Sequence, residues 1–203
     1  MLDPNRIALL EALQAQYRYH KIKRFYPDSG PLRRELYPKH MLAFEFSKTY
    51  RETTFQGGNG VGKTEGVGAY VVTLHATGDY PGWWGGRTYS RPTDMWVAGD
   101  TKETVRDITQ VKLLGDIAKG GMDALGTGMI PRHALLTKDG QFNGKFRQGT
   151  NYACDFVRVK HKSGGYSTIG FKSYDQRRES FQGTEKDLIW LDEEPPMDIY
   201  TEC

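Results

Sequence analysis

The sequence predicts an α/β fold, a mostly parallel sheet flanked by helices, and three observations carry that reading. The run Gly57-Gly58-Asn59-Gly60-Val61-Gly62-Lys63-Thr64 fits the pattern G-x-x-x-x-G-K-[ST]. A short β-branched and aromatic segment, Glu52 to Gln56, leads into it as a strand, and a helix-compatible pattern over Thr64 to Ala76 leads out. Far downstream, the apolar run Leu188-Ile189-Trp190-Leu191 meets Asp192-Glu193-Glu194. A buried parallel strand reads as such a continuous run. Its end would present Asp192 at the carboxyl edge of the sheet, where ligands of open α/β folds bind. Together these segments describe a P-loop nucleotide-binding fold.

The chemistry follows from the residue types. Glycines let the loop turn tightly and point its N–H groups inward, and the following helix start adds its dipole, which suits a polyphosphate. Gly57, Gly58, Asn59, Gly60, Val61, Gly62, Lys63 and Thr64 are therefore the candidate ATP-binding residues. Lys63 would reach the β- and γ-phosphates, and the Thr64 hydroxyl would coordinate Mg²⁺. Asp192 would hold Mg²⁺ through its water shell, and Glu193 would orient and deprotonate the attacking water. Taken singly, the glycine run is also compatible with a turn followed by a chance Lys-Thr, and the acidic run with a solvated turn closed by Pro195-Pro196. Their pairing favours the nucleotide site. Glu194 receives no role.

Residues 1–48 read as an N-terminal helical segment and 49–203 as the P-loop ATPase core. Ile7, Leu10, Leu13 and Tyr17 space an amphipathic helix from Pro4 to about Arg24. His20, Lys21, Lys23 and Arg24 sit at its end, where cations complement the helix dipole, a reading favoured over DNA contact. Tyr26 to Pro31 is a turn, and Pro38 to Lys48 a second short helix. Gly66 and Gly68 weaken the helix that follows the glycine run. Gly78 to Arg87 is an irregular aromatic loop in which Trp83 and Trp84 either stack on bases or, preferably, bury area at the sheet edge. Asp94 to Gly99 is a strand. Thr101 caps a helix reaching about Lys119, with Val105, Ile108, Val111 and Leu114 as its stripe. Gly120 to Gly149 is weakly patterned loop. Tyr152–Lys160 and Tyr166–Lys172 flank Ser163-Gly164-Gly165 as a hairpin, with Arg158, Lys160, His161 and Lys162 facing DNA phosphates or solvent.

Composition narrows the class. With 203 residues the chain can hold one α/β domain with a sizeable core. A net charge of +3 does not by itself argue nucleic-acid binding. No apolar run approaches a membrane span, and no signal-peptide core begins the chain, so a cytosolic protein is expected. Cys154 and Cys203 lack metal-ligand spacing and a disulfide framework; Cys154 reads as a partly buried free thiol.

Beyond the glycine and acidic runs, the chain carries Tyr37-Pro38-Lys39, Gly78-x-Tyr80-Pro81-x-Trp83-Trp84, Trp96-Val97-Ala98-Gly99, Thr168 to Asp175 and Phe181-Gln182-Gly183. With Trp190-Leu191-Asp192-Glu193-Glu194-Pro195-Pro196, these resemble the ATPase domain of the large terminase subunit of tailed bacteriophages. The resemblance extends over most of the chain, and the Tyr-Pro-x-Trp-Trp loop and Asp-Glu-Glu-Pro-Pro ending are its specific parts. It implies a motor that hydrolyses ATP to pump double-stranded DNA into a procapsid. Such motors work as a ring on the portal protein, in the host cytoplasm, with a small terminase subunit selecting the DNA. It implies Glu193 as the catalytic carboxylate, Lys63 and Thr64 on phosphate and Mg²⁺, and Asp192 on Mg²⁺. The alternatives are an inactive nucleotide-binding fragment and another P-loop ATPase, such as a helicase-like protein.

Three departures qualify the resemblance. Asn59 stands where many members carry an arginine proposed to act on the γ-phosphate, so a stimulating arginine must come from elsewhere; Arg51, Arg106, Arg177 and Arg178 are candidates, each also explained by surface pairing. His40 stands where an adenine-contacting glutamine is common, and is read as either an adenine contact or an exposed lone histidine. The chain ends at Cys203, soon after the acidic strand. The additional strand that such folds place between the P-loop strand and the acidic strand is not in it, nor is a nuclease domain. The expectation is a C-terminally incomplete sheet with unpaired inner edges, marginally stable and prone to aggregation.

Overall fold

The computed structural model describes residues 3–203. It is an α/β structure whose sheet has the order β2-β3-β4-β1-β5. The strands are β1 (Asp94–Gly99), β2 (Gly144–Phe146), β3 (Cys154–Lys160), β4 (Tyr166–Ser173) and β5 (Leu188–Leu191). β1 runs parallel to both β4 and β5, whereas β2–β3 and β3–β4 are antiparallel. The sheet is therefore mixed, not mostly parallel. The cause is local: Gly164 and Gly165, both at positive φ, turn β3 straight into β4, and a two-strand connection this short can only be antiparallel.

Glu52 to Gln56 is not the expected strand: it pairs with no strand among the described residues, and only Phe55 in it is even half-buried. β5 pairs through β1 alone, so it forms an edge of the sheet, and its four residues are half-buried instead of fully buried. A segment without a ladder partner gains none of the hydrogen bonds that define a strand.

Alternation along β1 divides the core between two faces. Met95 and Val97 join Val157, Ile169 and Phe171 under the helices, in the main cluster. Trp96 and Ala98 point the other way, to Tyr174, Phe181 and Ile199. On the main face lies the helix that follows the glycine loop. It covers 63–77, π-helical over Lys63–Ala69 and α-helical over Tyr70–Thr77, and buries Tyr70, Val72 and Leu74. Beside it, a helix over 102–114 is capped by the Thr101 side chain, which accepts from Thr104 N at 3.1 Å. Gly115 at φ 102 ends it, earlier than the expected Lys119, and a short helix Ile117–Gly120 follows.

Two glycines in the glycine-loop helix explain themselves here. A Cβ on Gly68 would lie 2.2 Å from the Trp190 indole, and one on Gly66 would lie 2.7 Å from the Tyr26 hydroxyl. Both let the helix approach its neighbours closely. The helix propensity lost at these positions is offset by contact with β5 and with the N-terminal segment.

The N-terminal segment contains α1 (Pro4–Tyr19) and α2 (Pro38–Thr49). The apolar stripe of α1 does not face the core: Ile7, Leu10, Leu13 and Tyr17 are all exposed. The basic residues after it make ion pairs, Lys21 with Glu65 and Lys23 with Asp79. α2 buries Phe44 and His40. The aromatic loop packs on α2 and on the glycine-loop helix: Trp84 lies 5.0 Å from Phe44, and Trp83 stacks on Tyr70 at 6.2 Å. Cys154 is fully buried, deeper than the sequence suggests, and Cys203 half-buried; both are free thiols. No described helix is long and apolar enough to cross a membrane.

Candidate functional site

The glycine loop, 57–62, leads into its helix at the carboxyl end of the parallel strands. Gly60 and Gly62 take positive φ (80 and 86), and Gly62 caps the helix in the left-handed conformation. Residues 57–61 are exposed. Lys63 folds back on the loop, its Nζ donating to Gly57 O at 2.6 Å and Gly58 O at 2.9 Å. The carbonyls hold the ammonium over the loop.

The acidic end of β5 meets this helix. Thr64 Oγ1 donates to Asp192 Oδ1 at 3.2 Å, joining residues 128 apart in sequence. Asp192 N donates to Ala98 O at 2.8 Å, which carries the ladder with β1 one residue past β5. Burial lifts the Asp192 carboxyl above the usual aspartate range; the Thr64 hydrogen bond and Lys63 oppose the shift, and neighbouring Glu193 adds to it. Two hard oxygens on facing elements suit a small divalent cation such as Mg²⁺. Glu193 follows in the left-handed conformation, at φ 68, which turns it out of the strand into solvent. Tyr174, below the end of β4, steadies this turn: its hydroxyl lies 3.1 Å from Asp192 O and 3.5 Å from Glu193 O. Glu194 is exposed.

The structure thus brings Lys63, Thr64, Asp192 and Glu193 to one edge of the sheet. His40 is not an exposed histidine, and both ring nitrogens are already engaged, Nε2 with Val61 O at 2.9 Å and Nδ1 with the Tyr26 hydroxyl at 2.7 Å. In this arrangement neither nitrogen is free for an adenine, and the ring supports the glycine loop from behind. Of the candidate arginines, Arg106 is clamped by Asp107 at 2.7 and 2.9 Å and Arg178 binds Glu202 at 2.5 Å. Arg51 and Arg177 are exposed and form no ion pair among the described residues. In the hairpin, Arg158 and Lys160 are exposed, while His161 is buried and Lys162 lies 3.8 Å from Asp79. A cavity of about 680 Å³ lies at the far end of the glycine-loop helix, beside Tyr70, Thr77 and Lys162, with neither glycine loop nor acidic strand in its lining.

Sequence reasoning missed Tyr26, Tyr174 and Glu65. Glu65 ties the helix to Lys21 and to Lys112, the latter at 2.9 Å. The signal for Tyr26 was present but indirect: a glycine at position 66, where a helix former would otherwise serve.

The family described as terminase large subunit, T4likevirus-type, N-terminal, matches residues 54–203, which include the glycine loop and the acidic strand. The chain belongs to the terminase large-subunit family. It is 32% identical to the terminase large subunit of Salmonella phage P22 over 218 aligned positions, covering 98% of this chain. The chain spans 40% of that relative's length. The family match leaves α1, α2 and His40 outside its range, whereas the P22 relative matches across the N-terminal segment too. No solved structure matches the chain.

Proposed function

We propose that the chain is the ATP-hydrolysing part of a terminase large subunit, the motor that drives double-stranded DNA into a procapsid. The single observation that carries this reading is the Thr64–Asp192 contact at 3.2 Å, which places the acidic strand end against the helix that follows the glycine loop. The family match supplies the motor context and weighs against a helicase-like ATPase.

On this reading residues 57–62 form a P-loop whose N–H groups cradle the β- and γ-phosphates. Lys63 exchanges its loop carbonyls for phosphate oxygens. Thr64 and Asp192 would hold Mg²⁺, which when bound would neutralise charge developing on those oxygens. Glu193 accepts a proton from water as the water oxygen bonds to the γ-phosphorus and the bond to the ADP oxygen breaks. Tyr174 keeps the Asp192–Glu193 turn in place for that transfer. Asn59 brings no charge, so the arginine that stimulates turnover comes from a neighbouring subunit of a ring; Arg51 and Arg177 are the unpaired candidates. Portal protein, small terminase subunit and DNA are the proposed partners, and the host cytoplasm the place of action.

A second reading, nucleotide binding without turnover, draws on the unpaired state of Glu52 to Gln56, which leaves the loop's lead-in without sheet support. ATP binding and steady-state turnover by the chain and by Lys63→Ala, with and without double-stranded DNA, separate the cases. Binding and turnover that both fall in the variant support the motor reading. Binding without turnover supports the second. Equal binding by both proteins overturns each.

A further inference from the structure

Tyr26 lies in the turn between α1 and α2, at φ 56, a left-handed conformation rare for a bulky residue. It is 2% exposed, and Arg34 Nη1 donates to its carbonyl at 2.9 Å. Its hydroxyl lies 2.7 Å from Gly66 O and 2.7 Å from His40 Nδ1, and His40 Nε2 lies 2.9 Å from Val61 O. Three contacts therefore run in a line, from Val61 O through His40 and Tyr26 to Gly66 O. Both ends are carbonyls, which only accept.

Three links need three hydrogens. A neutral imidazole brings one and the tyrosine hydroxyl one, so one link is always short. With the hydrogen on Nε2, Val61 O is held, Tyr26 donates to Nδ1, and Gly66 O faces an oxygen without a hydrogen. With it on Nδ1, Tyr26 donates to Gly66 O, and Val61 O faces a bare nitrogen. Only the imidazolium satisfies all three. Val61 belongs to the glycine loop and Gly66 to the helix after it, so the filled network fixes the loop relative to Lys63 and Thr64.

We infer that His40 and Tyr26 are positioning residues for the glycine loop, and that a proton taken up by His40 locks the loop to its helix and ties nucleotide affinity to pH. The affinity half rests on the nucleotide-site reading above; the lock does not. Burial holds the His40 imidazole below its ordinary pKa, and the Val61 carbonyl works against that shift. Tyr26 and Tyr37 lie against its ring, at 5.9 and 5.2 Å; the same turn carries Asp28, Arg33, Arg34 and Glu35, α2 carries Lys39, the lead-in Arg51 and Glu52, and the loop and helix Lys63, Glu65 and Tyr70. Arg34 is paired with Asp28, Glu65 with Lys21 and Lys112, and Glu52 accepts from Tyr200. A polyphosphate brought to the loop adds negative charge beside the network and favours the imidazolium, and by linkage the proton favours the polyphosphate.

The test is a nuclear magnetic resonance titration of the chain from pH 8 to pH 5, following the His40 ring nitrogens and the amides of Gly62, Lys63, Gly66 and Val67. The expected result is one shared midpoint. In His40→Gln, which can donate to Val61 O and accept from Tyr26 but takes no proton, the loop amides stay flat. In Tyr26→Phe the Gly66 and Val67 response is lost while Gly62 still follows His40. A ring that titrates with silent loop amides, or amides that titrate equally in His40→Gln, overturns the lock; the unaltered chain decides this even if a variant fails to fold. The second arm measures the affinity of a non-hydrolysable ATP analogue with Mg²⁺ at pH 6 and pH 8. The chain should gain about threefold to tenfold at pH 6 relative to His40→Gln, tenfold corresponding to one pKa unit. Equal pH dependence in both proteins overturns the coupling. Failure of every protein to bind the analogue sinks the nucleotide-site reading instead, and the titration still decides the lock.

Discussion

Gly68 tests how the glycine-loop helix is seated on β5. A Cβ there would stand 2.2, 2.3 and 2.7 Å from three atoms of the Trp190 indole. Carbon contacts are comfortable from about 3.5 Å, so Gly68→Ala forces the helix or the indole to retreat by roughly 1 Å. The alanine gains about 1 kcal/mol of helix propensity, and overpacking costs about 1–3 kcal/mol. The net is a loss of up to about 2 kcal/mol. Thr64 lies one turn earlier on the same helix, and its 3.2 Å bond to Asp192 is already long, so a retreat of this size breaks it. Trp190→Leu removes the obstacle. In a double-mutant cycle read by urea unfolding, the pair should therefore couple favourably, by about 1 kcal/mol or more. Additive effects, or a Gly68→Ala chain more stable than the parent by the full helix-propensity gain of about 1 kcal/mol, would refute the close approach.

Other outcomes follow from the same structure. Burial raises the Asp192 pKa, so the folded chain binds its proton more tightly than the unfolded chain and loses stability as pH rises through the folded value. Asp192→Asn should accordingly raise the urea midpoint at pH 8, with the gain fading toward low pH, while weakening Mg²⁺-dependent nucleotide affinity. His75 is buried, and burial lowers its pKa to about 4. Unfolding releases it to take a proton, so stability should fall as pH drops from about 6.5 to about 4, by on the order of 3 kcal/mol. His75→Gln should flatten that limb of the stability profile. Cys154 is buried, and burial pushes its thiol up to about 12, so a maleimide should label the native chain once, at Cys203, and the urea-unfolded chain twice.

What was legible in the sequence was what is local. The glycine run, β1, the Ser163-Gly164-Gly165 hairpin and the β5-to-Asp192 ending each carry their signal within a few residues, and each stands where expected. The parity of the sheet was not local: the hairpin was legible, but that its strands join the sheet of β1 depends on packing of residues far apart. Glu52 to Gln56 has strand-forming residues and lacks a partner, and propensity alone does not make a ladder. The stripe of α1 shows the same limit, since a helical period tells which side is apolar but not whether anything covers it. His40 was not legible as buried, because a polar residue following Tyr-Pro-Lys carries no mark of burial; Tyr26, fourteen residues earlier in the chain, is what buries it and binds it. Gly66 and Gly68 lowered the helix expectation, and both turned out to be contact points.

The central claim is that Glu193 is the proton acceptor of a site built by Lys63, Thr64 and Asp192. Single-turnover hydrolysis of bound ATP by the chain and by Glu193→Gln tests it most directly. The account predicts similar affinity for the two proteins and a hydrolysis rate about a hundredfold or more lower in the variant. Equal hydrolysis rates at equal occupancy would contradict it.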